Sequence, residues 1–311
     1  MKNIININSD YNILTLDGGG IRGIMLLHQL VDLEKQLKKP ANKIFDLISG
    51  TSTGAIIAVL LALGYSSKHI LHMYLDNSNK IFNRQFFRFG IFRPKYNDDH
   101  FNKLIKKYVG NKMLSDLSCD VIIPSYNATK KTKLIFKSKK AKVNESYNYR
   151  LYDVIRSSAS AQTLFKPHKI DDDYFIDGGV VINNPSLVSY IDVLGYEYKY
   201  NNINVLSYST GIKEVIINNR TIVGGLLSWA RPTIDILLAE QSQITDYHMK
   251  QLSFCDNINL NYVRCESYVT KSTGKIDDVR PENIKNMIDD GILSTINNKV
   301  LVKMFIKYIN I

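Results

Sequence analysis

Three short stretches of this 311-residue chain carry residue types that do chemistry. Gly50-Thr51-Ser52-Thr53-Gly54 is a G-x-S-x-G match, and its flanking glycines permit the sharp turn that pushes a serine hydroxyl out of a sheet. Gly18-Gly19-Gly20-Ile21-Arg22-Gly23 sets three adjacent glycines before a helical pattern, where outward N–H groups can meet developing negative charge. Asp177-Gly178-Gly179 ends an apolar run, and a carboxylate whose pKa is raised by burial can take a proton from a hydroxyl it touches. Taken singly, triple glycine and Asp-Gly also read as ordinary turns. The order strand, elbow, helix around Ser52 is what favours a catalytic reading there.

The glycine stretch also satisfies G-x-G-x-x-G, so a dinucleotide fold has to be weighed. That reading expects an acidic residue at the end of the second strand to hold a ribose. Here the second strand ends in Ser49-Gly50, its one carboxylate, Asp46, lies near its start, and Asp17 would set a negative charge beside a pyrophosphate. A serine elbow stands where the ribose acid should be, and a tetrahedral intermediate formed on Ser52 needs oxyanion donors, which Gly18, Gly19 and Gly20 can supply.

None of the six histidines sits in a motif characteristic of a catalytic triad. His28 lies within i+4 reach of Asp32 and reads as a surface pair. His69, His72 and Asp76 share a helical face, but no second cluster completes a metal site, so they read as structural and no metal is expected. His168 is the most interesting, lying shortly before the Asp177 segment. Cys119, Cys255 and Cys265 show no C-x-x-C spacing, which fits a reducing compartment.

These residues need elements to position them. Strands are predicted at Ile13 to Leu16 and Phe45 to Ile48, each running through a glycine turn into a helix, Gly23 to Leu37 and Ala55 to Leu63. Two such units in series predict an α/β fold with a central, mostly parallel sheet flanked by helices. Further strands are expected at Val121 to Pro124, Lys133 to Phe136, Tyr174 to Ile176 and Val205 to Tyr208. Further helices are expected over Lys68 to Leu75, Phe101 to Val109, Tyr152 to Ser158, Pro185 to Leu194, Pro232 to His248, Pro281 to Asp289 and Asn298 to Tyr308. No linker interrupts the chain, so residues 1–311 are read as one catalytic domain: a motif-bearing core over about 12–211 and a C-terminal helical extension, 212–311, packed on it.

Lys and Arg number 40 against 29 Asp and Glu, a formal net charge of +11 that favours anionic partners. No helix concentrates basic residues with base-reading side chains, so no nucleic acid is expected. The N-terminus alternates Ile with Asn and lacks a secretory h-region, and the apolar run Ala55 to Leu63 is far short of the about twenty residues that span a bilayer. A cytoplasmic protein with peripheral contact to an anionic membrane surface is the resulting expectation. Phe82, Phe86, Phe87, Phe89 and Phe92, interleaved with Arg84, Arg88 and Arg93, suit such a surface, or else pack partly under the sheet.

Together the three motifs resemble the patatin-like phospholipase family, also seen in cytosolic phospholipase A2-type catalytic domains. The similarity runs from about Asn12 to Gly211, and Ser157 to Phe165 also looks like the family's Ser-Ala-Ala-Pro-Thr-Tyr-Phe stretch, with Gln162 where proline is usual. The resemblance implies a Ser-Asp dyad. Ser52 would be the nucleophile and Asp177 the proton acceptor, with Gly18, Gly19, Gly20 and Thr53 forming the oxyanion hole and Arg22, Gly23, Gly50, Gly54, Gly178 and Gly179 supporting the motifs. It implies release of fatty acid from a phospholipid through an acyl-enzyme on Ser52, with no cofactor, no metal and no need of a histidine. An acyltransferase or a neutral-lipid or lysophospholipid lipase could use the same dyad, and a non-catalytic lipid- or nucleotide-binding protein is the alternative of another class.

Overall fold

The chain is described here by a computed structural model that covers residues 5–6, 8–83, 93–196, 198–212, 217 and 219–309. Its sheet has eight strands: β1 (Tyr11–Leu16), β2 (Leu47–Gly50), β3 (Asp120–Asn127), β4 (Thr132–Lys137), β5 (His168–Ile170), β6 (Asp173–Ile176), β7 (Ile203–Tyr208) and β8 (Leu260–Cys265). The order is β8-β7-β1-β2-β3-β6-β5, with β4 also paired to β3. The first five of that order run parallel, while β4 and β6 pair antiparallel to β3, and β5 antiparallel to β6. A separate parallel pair joins Ile5–Asn6 to Tyr198–Lys199.

The central strands are covered on both faces, which is why they read as near-continuous apolar runs. Alternate residues then serve two cores. Leu14, Leu16, Ile48, Val121, Ile123 and Leu206 pack on one side, and Ile13, Leu47, Ile122 and Val205 on the other. The larger core is built with α1 (Gly23–Leu37), α2 (Thr53–Ala62), α3 (Ser67–Ile81), α4 (Asp99–Val109) and α5 (Leu151–Ser158); the smaller takes residues of α6 (Ser186–Leu194) and α7 (Leu226–Ser253). Two further helices, α8 (Pro281–Asn297) and α9 (Lys299–Tyr308), add Met287, Val302 and Phe305 to the larger core. Every residue of α2 is buried, so it shows no polar face. None of the helices of the described residues is long and apolar enough to cross a membrane.

Register decides where the motifs meet. Leu16 pairs with both Gly50 and Tyr208, and Tyr208 with Cys265, so β1, β2, β7 and β8 end in line and the residues that follow share one rim. β3 outruns β2: Ser49 pairs with Ile122, yet β3 continues to Asn127. Antiparallel β6 pairs with that overhang, Phe175 to Asn127 and Ile176 to Tyr126, and so delivers Asp177 back to the level where β2 stops.

The α/β class matches the expectation from sequence, but the C-terminal segment does not. Residues 212–311 are not simply a helical extension, because β8 pairs along its whole length with β7 and forms an edge of the central sheet. Arg264 near the end of that strand breaks the apolar pattern that would have announced it. β5 was also not expected, being three residues with no buried position. The long helix starts at Leu226 and contains Pro232 inside it instead of beginning there.

Candidate active site

The elbow is a turn with little freedom. A Cβ on Gly50 would lie 2.1 Å from the Gly54 carbonyl oxygen, and one on Gly54 would lie 2.2 Å from that of Leu16. Between them Ser52 takes φ 54 and ψ −115, a conformation that costs a non-glycine residue of order 1–3 kcal/mol. Neighbours enforce it. Thr51 N–H donates to Leu16 O at 3.1 Å, Thr51 Oγ1 donates to Ile182 O at 2.8 Å, and Ser52 N–H donates to Ser158 Oγ at 3.0 Å.

This turn aims the Ser52 hydroxyl at Asp177, and Ser52 Oγ donates to Asp177 Oδ2 at 2.7 Å. The other carboxylate oxygen, Oδ1, accepts the Gly179 N–H at 2.8 Å, and the Asp177 N–H donates to Ser160 O at 3.1 Å. Asp177 is buried, and burial pushes its carboxyl up to about 6 against the opposing pull of the Ser52 hydroxyl and the Gly179 N–H. A carboxylate of that basicity, in contact with a hydroxyl, can accept its proton as the oxygen attacks an electrophile.

The glycine loop lies beside this pair. Gly18 N–H donates to Asn183 O at 3.2 Å and Thr210 Oγ1 donates to Gly18 O at 2.6 Å, so Gly18 is engaged by the protein itself. The N–H groups of Gly19, Gly20 and Thr53 have no protein acceptor among the described residues. Thr53 is also the first residue of α2, whose dipole places partial positive charge there. Arg22 braces the loop, its Nη1 donating to Gly211 O at 2.8 Å and its Nε to Gly19 O at 3.4 Å. Ile21 N–H donates to Ile276 O at 2.9 Å. Gly23 opens α1 against the Thr53 hydroxyl, and Gly178 lies against the Pro124 carbonyl.

Asp17, next to the loop, is buried. It is gripped by Arg264, which also donates to Ser207 Oγ at 2.8 Å and to Glu266 Oε1 at 2.9 Å. Arg264, Thr210 and Ile276 carry no sequence signal for these roles, since each comes from a segment far from the motif it holds; Asn183 stands in the Asn183-Asn184-Pro185 run directly after the Asp177 motif, which by itself states no contact with Gly18. Ser158 lies within the stretch that carries the resemblance, but its contact with the Ser52 N–H has no sequence signal.

The histidines lie elsewhere. His168 Nε2 sits 2.8 Å from Asp153 Oδ1 on the β5 edge, against the Tyr152 ring. His28 does not pair with Asp32: it packs on Gly291, while Asp32 accepts from Gln36 Nε2 at 2.6 Å. His69 packs against Tyr65 and Tyr108, and no cluster of three metal-ligating side chains occurs among the described residues. Phe82 packs on Tyr96 and Phe165. Arg84, Phe86, Phe87, Arg88, Phe89 and Phe92 lie outside the described residues.

Comparison with known proteins places the chain in a family. The model of the patatin-like phospholipases matches residues 14–188, which include the glycine loop, Ser52 and Asp177. Patatin-like protein 4 of Arabidopsis thaliana is 28% identical over 327 residues, covering 90% of this chain and 82% of that protein. The cGAMP-activated phospholipase of Vibrio cholerae is 26% identical over 322 residues, covering 92% of this chain and 90% of its own. A human GIVD cytosolic phospholipase A2 structure superposes over 97% of this chain and 60% of its own, with a TM-score of 0.46 and 10% identity. The chain belongs to the patatin-like phospholipase family of lipid hydrolases.

Proposed function

We propose that this protein is a phospholipase A-type acyl hydrolase in which Ser52 is the nucleophile and Asp177 the general base. The observation that carries the reading is the 2.7 Å hydrogen bond from Ser52 Oγ to Asp177 Oδ2, made by a serine held in a strained elbow conformation. As Ser52 Oγ bonds to the ester carbonyl carbon, its proton passes to Asp177. The carbonyl oxygen becomes the oxyanion, stabilised by the N–H groups of Gly19, Gly20 and Thr53. Collapse breaks the ester C–O bond, and the lysolipid oxygen leaves with the proton held by Asp177. Water then attacks the acyl-Ser52 ester, gives a proton to Asp177, and fatty acid leaves as that proton returns to Ser52 Oγ.

Phospholipid substrate and contact with an anionic membrane surface are supported by the family membership and by the +11 net charge. The test is mass-spectrometric product analysis on mixed phospholipid vesicles. Wild type is expected to yield free fatty acid and lysophospholipid in equal amounts, and Ser52→Ala neither. Acyl products esterified to an added alcohol would instead assign acyl transfer, and products undiminished in Ser52→Ala would exclude the dyad.

A further inference from the structure

Helices α8 and α9 have a face that takes no part in the site. Gly291, Ser294, Asn298, Val302 and Phe305 are buried, a three-to-four spacing that seats both helices on the core. The opposite side carries Ile292, Leu293, Ile296, Val300 and Met304, all exposed, with Ile296 at 64% and Val300 at 76%. Lys299, Lys303 and Lys307 recur every fourth residue along that same exposed side. From Gly291 to the last residue the sequence has these three lysines and no Asp or Glu.

An exposed apolar stripe of this kind marks an interaction surface, and the charge beside it selects the occupant. Apolar side chains flanked by a cation row suit a surface with acyl chains beneath and phosphates above. A second copy fits poorly, because an isologous pairing would set the lysine rows of α9 against each other, and the carboxylate nearest them on α8, Asp289, is already paired with Lys271 at 3.0 Å. One end of the stripe lies near the site. Asn298, between the two helices, donates to Glu266 O and Gln29 Oε1, each at 2.8 Å. Glu266 directly follows β8, at the rim where Asp17 and Thr51-Ser52 follow β1 and β2. The stripe therefore begins near the rim that holds Ser52 and runs along α9 toward the other end of the sheet, where Phe305 stacks on Phe45 ahead of β2.

We propose that the exposed side of α8 and α9 is the surface by which the enzyme binds anionic phospholipid bilayers, with Ile296, Val300 and Met304 at the acyl boundary and Lys299, Lys303 and Lys307 at headgroup phosphates. This deepens the phospholipid reading above and rests on it, since such a substrate is met at an interface. Sedimentation with vesicles of phosphatidylcholine alone or mixed with phosphatidylglycerol tests it. Wild type is expected to favour the anionic vesicles, less so as salt rises. Losing about fivefold for each lysine near the surface, Lys299→Glu/Lys303→Glu/Lys307→Glu should partition into them at least a hundredfold more weakly. Ile296→Ser/Val300→Ser should bind both vesicle types more weakly. Both variants should hydrolyse p-nitrophenyl butyrate in solution as wild type does, which reports an intact fold and site. Active variants that partition like wild type would overturn the surface while leaving the hydrolase reading untouched. A wild-type dimer in sedimentation velocity that Ile296→Ser/Val300→Ser dissolves would overturn it in favour of a second copy. Loss of ester hydrolysis is read separately, on Ser52→Ala.

Discussion

Arg264 holds both carboxylate oxygens of Asp17, Nη1 to Oδ1 at 2.9 Å and Nη2 to Oδ2 at 2.6 Å, with both side chains almost wholly buried. The pair ties the edge strand β8 to the residue that leads into the glycine loop, across 247 positions of sequence. Breaking a buried pair leaves one uncompensated charge, and this usually costs about 3–5 kcal/mol. Arg264→Met should therefore lower unfolding free energy in urea by about that amount, and Asp17→Asn/Arg264→Met should recover part of it. A loss under about 1 kcal/mol in the single variant would mean that the pair does not anchor the loop.

The Asp177 carboxyl, pushed up to about 6 by burial, sets a pH dependence of rate. As base it must be ionised, so kcat/KM should rise through about pH 6 and level off above. Asp177→Asn should lower kcat by about 10²–10⁴ and abolish that limb. A profile flat from pH 5 to pH 8 in the wild type would speak against Asp177 as the base.

The same carboxyl predicts a stability effect of opposite direction to the usual one. Between its unfolded value near 3.8 and the folded value of about 6, the folded state binds more protons, so stability falls as pH rises through this window. Asp177→Asn removes the titration. The wild type should thus lose up to about 3 kcal/mol relative to Asp177→Asn between pH 4 and pH 7, read from urea melts at both pH values. An unchanged difference would place the Asp177 carboxyl in an ordinary, solvated environment.

Close packing at two glycines gives a contrast. A Cβ on Gly19 would meet Thr210 Oγ1 at 2.1 Å, a side chain, whereas one on Gly54 would meet Leu16 O at 2.2 Å, backbone. Thr210 Cβ would also be met, at 2.6 Å, so Gly19→Ala should be partly rescued by Thr210→Gly, while Gly54→Ala should cost about 1–3 kcal/mol or more with no single side chain to relieve it. Thermal melts of the three variants check this, with Gly225→Ala, which meets nothing within 4 Å, as the control.

His168 bonds Asp153 and lies on a sheet edge, so a histidine-free dyad requires it to be dispensable. His168→Ala should hydrolyse p-nitrophenyl butyrate within about twofold of wild type, since the lost pair lies with Asp153 and Tyr152 and touches neither Ser52 nor Asp177. A loss as large as that of Ser52→Ala would restore a triad.

Much of this site was legible because its chemistry is local. Strand, glycine turn and helix sit side by side in sequence at both Gly18 and Ser52, and period and turn residues reveal them. Asp177 was legible as a residue, but its meeting with Ser52 depends on β3 outrunning β2 and on β6 returning along the overhang, a register that no local pattern states. The residues that hold the loop were invisible for a related reason. Arg264 spoils the apolar pattern of its own strand, and its charge makes sense only beside Asp17. Gly18 reads in sequence as a third oxyanion donor, but its N–H is taken up by Asn183 O.

The central claim is that Ser52 is a nucleophile activated by Asp177. Labelling with a fluorophosphonate serine probe, followed by peptide mass spectrometry, tests it most directly. One adduct on Ser52 is expected in the wild type, none in Ser52→Ala, and labelling slowed by about a hundredfold or more in folded Asp177→Asn. Folded wild type that gives no Ser52 adduct, or an Asp177→Asn variant labelled at the wild-type rate, would contradict it.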